Sequence, residues 1–183
     1  MTNKIDSAYK FYCKHIYDEE KILLLQENNL KVAGFVPSVM WELFGAILTG
    51  RSGVGNVGAD LNGWEVKSAK ENSSFEYQYH LNTGAKKLHE DCLVNHLFLT
   101  YSEMYKNVIA RAIKGENLAN QFFMKWEPQY FSNYDSSIPS NARRQRFRKN
   151  IPFNYVETNG HIILIIKDSI MIERYDDTLD SFL

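Results

Sequence analysis

The sequence has little with which a chain could be stapled, anchored or electrostatically steered. Only two cysteines occur, Cys13 and Cys92, at no paired spacing. That excludes a disulfide framework or a CxxC motif, and a reducing cytoplasm is the expected setting. No run approaches the roughly 18 apolar residues of a membrane span. The segment from Met1 to Asp6 lacks the apolar core of a signal peptide. Repeats, low-complexity tracts and inter-domain linkers are missing, so one domain over residues 1–183 is expected. Excess charge is missing too. With a formal net charge of −1 no overall basic field attracts nucleic acid, and any affinity for phosphate must come from local patches.

What the chain has is apolar and aromatic material: 44% hydrophobic residues, with 11 Tyr and 11 Phe, enough to bury a real core. Ala8, Phe11, Tyr12, His15 and Ile16, then Leu23 to Leu25, follow a loose helical period and predict a helix over residues 4–29. Ser38 is the expected N-cap of a second helix over 39–49, ended by Gly50. Strand patterns follow at 58–61, 64–69, 75–81, 95–102 and 106–113, then a helix over 115–125. Residues 127–150, with Pro128 and Pro139, suggest a long excursion with little regular structure, before strands at 161–167 and 169–175. The order implies an α+β fold with a mixed central β-sheet flanked by helices.

The most informative segment is Gly58-Ala-Asp-Leu-Asn-Gly-Trp-Glu-Val-Lys-Ser68. Asn62-Gly63 favours a two-residue type I′ turn, since both positions need positive φ. Leu61 then faces Trp64, and the next pair outward is Asp60 with Glu65. Opposed residues point to one face with Cβ atoms roughly 4.5–5.5 Å apart. Lys67 shares that face by strand alternation, and Val66 points to the core. Opposed carboxylates repel unless a cation lies between them. Mg²⁺ accepts one or two carboxylates and completes its shell with water and phosphate. It can polarise a scissile phosphate and lower the pKa of the attacking water. Lys67 beside that water would stabilise developing negative charge or assist deprotonation. The expected chemistry is hydrolysis of a phosphodiester, with Mg²⁺ or Mn²⁺ at Asp60 and Glu65. A Glu-x-Lys triplet alone carries little weight. Glu19-Glu20-Lys21 matches it as well, but on a predicted helix. The second acid, the turn and the apolar strand are what set residues 60–67 apart.

Glu42 is the only charged residue of Val39–Leu48. It is either a further acid at the edge of this site or a rim residue whose carboxylate reaches solvent. Gly53-Val-Gly-Asn-Val-Gly58 matches GxGxxG, but it follows a helix and precedes a strand, so a dinucleotide site is rejected. It is expected to be a flexible lead-in to Asp60. His89, Cys92 and His96 have a spacing that a helix could bring together around zinc, but no fourth ligand is evident.

Arg143-Arg144-Gln-Arg146-Phe-Arg148-Lys149 is the only dense basic cluster, and is either a DNA phosphate contact or a solvated loop. In residues 75–80 one face carries Phe75, Tyr77 and Tyr79, the other Glu76, Gln78 and His80. Gln78 and His80 can hydrogen-bond base edges in the major groove, although a half-buried strand always has a polar face.

The ordered acid followed by Glu65-Val-Lys-Ser68, with an acid-bearing helix before it, resembles the PD-(D/E)XK nuclease superfamily, which includes many type II restriction endonucleases. Ala59 stands where the motif's name has proline. Weaker likeness extends over residues 38–160, through Tyr77–Asn82, His96–Tyr101 and Ile151–Val156. The resemblance implies a restriction-endonuclease-like fold. It makes Asp60 and Glu65 metal ligands, Lys67 the catalytic lysine, Glu42 an auxiliary acid and the Val66 carbonyl a further ligand. One such site cuts one strand of double-stranded DNA, so cutting both needs a second site. The small size and neutral charge favour the cleavage subunit of a heterodimeric restriction enzyme whose larger subunit supplies specificity. The alternatives are a homodimer cutting a short palindrome, a repair or junction-resolving nuclease, and a non-catalytic DNA-binding module.

Overall fold

In the computed structural model, which describes residues 3–55, 58–81, 83–139 and 141–183, the chain is α+β with a mixed sheet flanked by helices. Met1 and Thr2 of the leader reading, Asn56 and Val57 of the glycine-rich stretch, Asn82, and Ser140 of the excursion lie outside those residues.

The first helix is shorter than its pattern suggests. α1 (Lys4–Phe11) loosens into a π-helical turn at Tyr12–Ile16, and Tyr17 is extended. α2 (Glu19–Glu27) restarts because the Asp18 carboxylate caps it, accepting from the Lys21 N–H at 2.9 Å. α3 runs Ser38–Thr49 with Pro37, not Ser38, in the cap position. It is not buried all round. Trp41, Phe44 and Leu48 are buried, while Val39 and Leu43 are exposed.

β1 (Trp64–Lys70), β2 (Phe75–His80), α4 (Gly84–Asp91), β3 (Asn95–Tyr101) and β4 (Val108–Lys114) follow. α5 (Gly115–Leu118) passes through a second π-helical turn into α6 (Met124–Asn133). β5 (Arg146–Ile151), α7 (Phe153–Asn159), β6 (His161–Lys167), β7 (Ile170–Arg174) and α8 (Asp176–Asp180) complete the chain. The five-stranded sheet has the order β1-β3-β4-β6-β7, with β1 and β3 parallel and the other neighbours antiparallel. β2 and β5 form a separate antiparallel ribbon.

The excursion expected over 127–150 therefore carries regular structure at both ends, 127–133 in α6 and 146–150 in β5. Phe123, Trp126, Tyr130 and Tyr134 recur at three- and four-residue spacing and are buried, a stripe that makes α6 a helix despite Pro128. The basic run alternates, burying Phe147 and Ile151, and becomes β5.

β3 is buried on both faces. Leu97 and Leu99 enter a core made with α1 and α3, and Phe98 enters an aromatic core made with β2, α4 and α6. β1 divides the same way: Trp64 and Val66 join the first core, and Ala69 joins the second. By alternation Glu65 and Lys67 face the aromatic side.

Candidate functional site

The chain does reverse at Asn62-Gly63. Leu61 and Trp64 exchange backbone hydrogen bonds of 2.9 and 3.0 Å. Only Gly63 of the two turn residues has positive φ, at 77°, so the φ pattern is that of a type II turn and not the expected type I′. Nor is there a strand at 58–61; beyond the Leu61 bridges the segment is a bend. Asp60 is thus not laddered opposite Glu65. It is held by its side chain, Oδ2 accepting from the Val66 N–H at 2.9 Å. The Asp60 N–H lies 3.3 Å from Glu65 Oε2. Trp64 spends both backbone groups on Leu61, and Val66, two residues on, turns the same edge of β1 outward. Its carbonyl therefore lies on the Asp60 side.

Glu65 is almost fully buried between two ammonium groups. Lys67 Nζ is 2.6 Å from Oε1 and Lys87 Nζ is 2.6 Å from Oε2. Burial opposes its ionisation, but the two lysines outweigh burial and hold the carboxyl below its ordinary range. Asp60 goes the other way. Burial first, and then the charge of Glu65, push it up to about 6, with Glu42 adding to the same side. Burial alone would lower the Lys67 pKa, but Glu65 and Asp60 raise it, so its ammonium stays charged. The Lys67 Nζ lies over the Tyr77 ring, 5.0 Å from its centroid.

Sequence reasoning missed Lys87 and what supports it. Lys87 Nζ is also 2.6 Å from Asp91 Oδ1, and the Tyr79 hydroxyl donates to Asp91 Oδ2 at 2.8 Å. The inward face of α4 carries Lys87, Leu88 and Asp91, so hydrophobic periodicity does not reveal it. Only the 3.6-residue spacing of charged groups hints at a helix. His96 underlies the same network. Its Nε2–H donates to the Asp91 carbonyl at 2.7 Å, which leaves Nδ1 to accept from the Tyr77 hydroxyl at 2.8 Å. Both ring nitrogens are thus engaged, and burial depresses the pKa to about 4. His89 pairs with Glu127 instead, so His89, Cys92 and His96 do not converge.

A cleft of about 310 Å³ opens over the cluster, lined among others by Asp60, Glu65, Lys67, Lys87, Gln78 and His80. Glu42 is half-buried on α3 and does not line it, though its charge is felt at Asp60. What brings α3 so close is Gly45, where a Cβ would come within 2.9 Å of Val66 Cγ2.

Gln78 and His80 stand on the outer face of β2, directly opposite Arg148 and Arg146 of β5. The basic residues then part company. Arg144, Arg146, Arg148 and Lys149 line a groove of about 780 Å³ between β5 and α6. Within it Lys149 bonds to Gln129. Arg143 is half-buried and its charge acts on Asp135.

The donors suit a hard cation in number and kind: two carboxylates and an outward carbonyl, with no hydrogen bond to Asp60 Oδ1 among the described residues and Asp60 crowded by negative charge. Among the described residues no group of three or more His, Cys, Asp or Glu side chains could hold a metal ion by itself. A cation here would complete its shell with water, the carbonyl or phosphate. No helix among the described residues is long and apolar enough to cross a membrane. No protein-family model matches this chain, and neither does any curated protein.

Proposed function

We propose that the chain is a metal-dependent DNA endonuclease of the PD-(D/E)XK kind, with a restriction-endonuclease-like fold. The observation that carries this reading is the convergence of Asp60, Glu65 and Lys67 in one cleft, beside an exposed ribbon bearing Gln78, His80, Arg146 and Arg148. Asp60, Glu65 and the Val66 carbonyl would hold Mg²⁺, or Mn²⁺ in its place. A divalent cation there supplies Lewis acidity toward a phosphate oxygen and lowers the pKa of a bound water.

The residues of the chain do the rest. Lys67, kept protonated by Glu65 and Asp60, donates hydrogen bonds to the attacking water or the phosphoryl oxygens and offsets the charge that builds there. As the water oxygen bonds to phosphorus it gives up a proton to bulk solvent, the bond from phosphorus to the ester oxygen breaks, and that oxygen leaves with a proton taken from solvent. The Val66 N–H fixes one oxygen of Asp60, a residue that lines the cleft. Arg146 and Arg148 take backbone phosphates, and Gln78 and His80 lie where base edges would pass.

One site cuts one strand, and we assign the chain as the cleavage subunit of a heterodimeric restriction enzyme acting in the cytoplasm with a larger specificity subunit. The ribbon favours a second reading, a homodimer that reads its own short site. Tight, sequence-specific binding by the isolated chain selects the homodimer. The activity itself is tested on supercoiled duplex with Mg²⁺ or Mn²⁺. The wild type is expected to nick or linearise it, and Asp60→Ala and Lys67→Ala to leave it intact. Equal conversion by all three proteins overturns the nuclease reading.

A further inference from the structure

Lys87 has no part in the mechanism above, yet two ion pairs hold it in the cleft. A Cβ on Gly84 would fall 1.8 Å from the Tyr130 ring, so the start of α4 is seated where only glycine fits. Three residues later Lys87 Nζ lies 2.6 Å from both Glu65 and Asp91. Asp91 is wholly buried and oriented by the Tyr79 hydroxyl, while the Lys87 side chain keeps 15% of its surface in the cleft.

Each oxygen of Glu65 therefore already has a cation: Lys67 on Oε1 and Lys87 on Oε2. A divalent cation needs one of those oxygens. Among the described residues Lys67 has only Glu65 as an ion-pair partner, whereas Lys87 has a second one in Asp91 and can give up the first without being left unpaired. A phosphate in the cleft offers Lys87 the charge it gives up.

We propose that Lys87 is the resident counter-ion of the site, occupying Glu65 until a DNA phosphate draws it aside, so that metal and DNA bind cooperatively. The inference rests on the nuclease reading and adds regulation to it: the site loads metal weakly until substrate arrives. Linkage makes the effect reciprocal, with metal tightening DNA by the same factor. Lys87 acts here as a positioning residue.

The test is calorimetric titration of Mn²⁺ into the full chain, alone and with a phosphorothioate duplex that resists hydrolysis. Deleting Lys87 alone leaves Asp91 as a buried unpaired charge, so the main variant is Lys87→Met with Asp91→Asn. Lys87→Gln, which still reaches Asp91 with a hydrogen bond, is the second. For the wild type, the duplex should tighten Mn²⁺ binding about tenfold or more, the order set by one unit charge a few ångströms away. Both variants should bind Mn²⁺ about tenfold tighter than wild type without DNA and gain little from the duplex. A merely structural lysine would weaken metal binding when removed, or leave it unchanged. Equal Mn²⁺ affinity in wild type and both variants, or unchanged coupling to the duplex, overturns the role of Lys87 and leaves the nuclease reading standing. Absence of Mn²⁺ binding in every protein, with and without duplex, overturns both.

Discussion

The backbone N–H of Val66 donates to Asp60 Oδ2 at 2.9 Å, across the reversal at Asn62-Gly63. This bond stands in for the missing strand at 58–61. It ties the aspartate to the edge of β1 through one carboxylate oxygen.

Asp60 is costly to the fold. Burial and the Glu65 charge raise its pKa from the ordinary 3.8 to about 6. An acid whose folded pKa is raised destabilises the native state wherever it is ionised, so at neutral pH without metal it works against folding. Asp60→Asn should stabilise the metal-free protein by about 1–2 kcal/mol, after allowance for partial exposure. It should also reduce cleavage by about 10²–10⁴-fold. Denaturant unfolding in a chelator, beside a cleavage assay, checks both. A destabilised Asp60→Asn contradicts the crowding argument.

Gly45 has no room for a methyl group. A Cβ there meets Val66 Cγ2 at 2.9 Å and Leu97 Cδ2 at 3.2 Å. Gly45→Ala should gain up to about 1 kcal/mol of helix propensity and lose about 1–3 kcal/mol to overpacking. Because Val66 also orients Asp60, activity should fall by more than the stability change accounts for. Thermal unfolding and cleavage rate, measured on one preparation, separate the two losses.

His96 sets an acid limit on stability. Its folded pKa, about 4, lies below the ordinary 6.5, so the unfolded chain binds the proton more readily. The contribution is fully present above about 6.5 and is lost as the pH falls through 4. It amounts to roughly 3 kcal/mol at most. Asp60 and Asp91, both raised, slope the opposite way. The informative quantity is therefore the difference from His96→Gln. Between pH 7 and pH 4.5 the wild type should lose more stability than the variant in urea unfolding; parallel losses would show that His96 is not held neutral.

Arg146 and Arg148 project from the outer face of the ribbon, opposite His80 and Gln78. If each takes a phosphate, Arg146→Ala or Arg148→Ala should flatten the dependence of log affinity on log salt by about one unit. Arg143→Ala, at a half-buried residue that acts on Asp135, should leave the slope unchanged. Fluorescence anisotropy of a labelled duplex over a salt series distinguishes them.

What could be read from the sequence follows what the residues do. β1 and β3 were legible because their apolar alternation or continuous burial is a packing signal in itself. The common face of Glu65 and Lys67 was legible from strand alternation, and the reversal at Gly63 returns Asp60 towards them, but the bond from the Val66 N–H that holds Asp60 in place of a strand pairing was not legible. The type I′ expectation failed because tertiary contacts let Asn62 keep negative φ while Gly63 alone supplies the reversal. α4 was hidden because its buried face carries Lys87 and Asp91, charges paid for by Glu65 and Tyr79, which are distant in sequence. β5 was hidden inside a charge run whose alternation matters only once α6 covers Phe147. Breaks such as Asp18 carry a cap signal that a loose apolar period overrode.

The central claim is that Asp60 and Glu65 share a divalent cation, and iron-directed backbone cleavage tests it without requiring a partner subunit. Fe²⁺ loaded into the site, with ascorbate and peroxide, cuts the polypeptide beside the metal, and the fragments locate it. The account predicts cuts close to Asp60 and Glu65–Val66, suppressed by excess Mg²⁺ and by Asp60→Asn. Fragments mapping elsewhere, or the same pattern in Asp60→Asn, would contradict it.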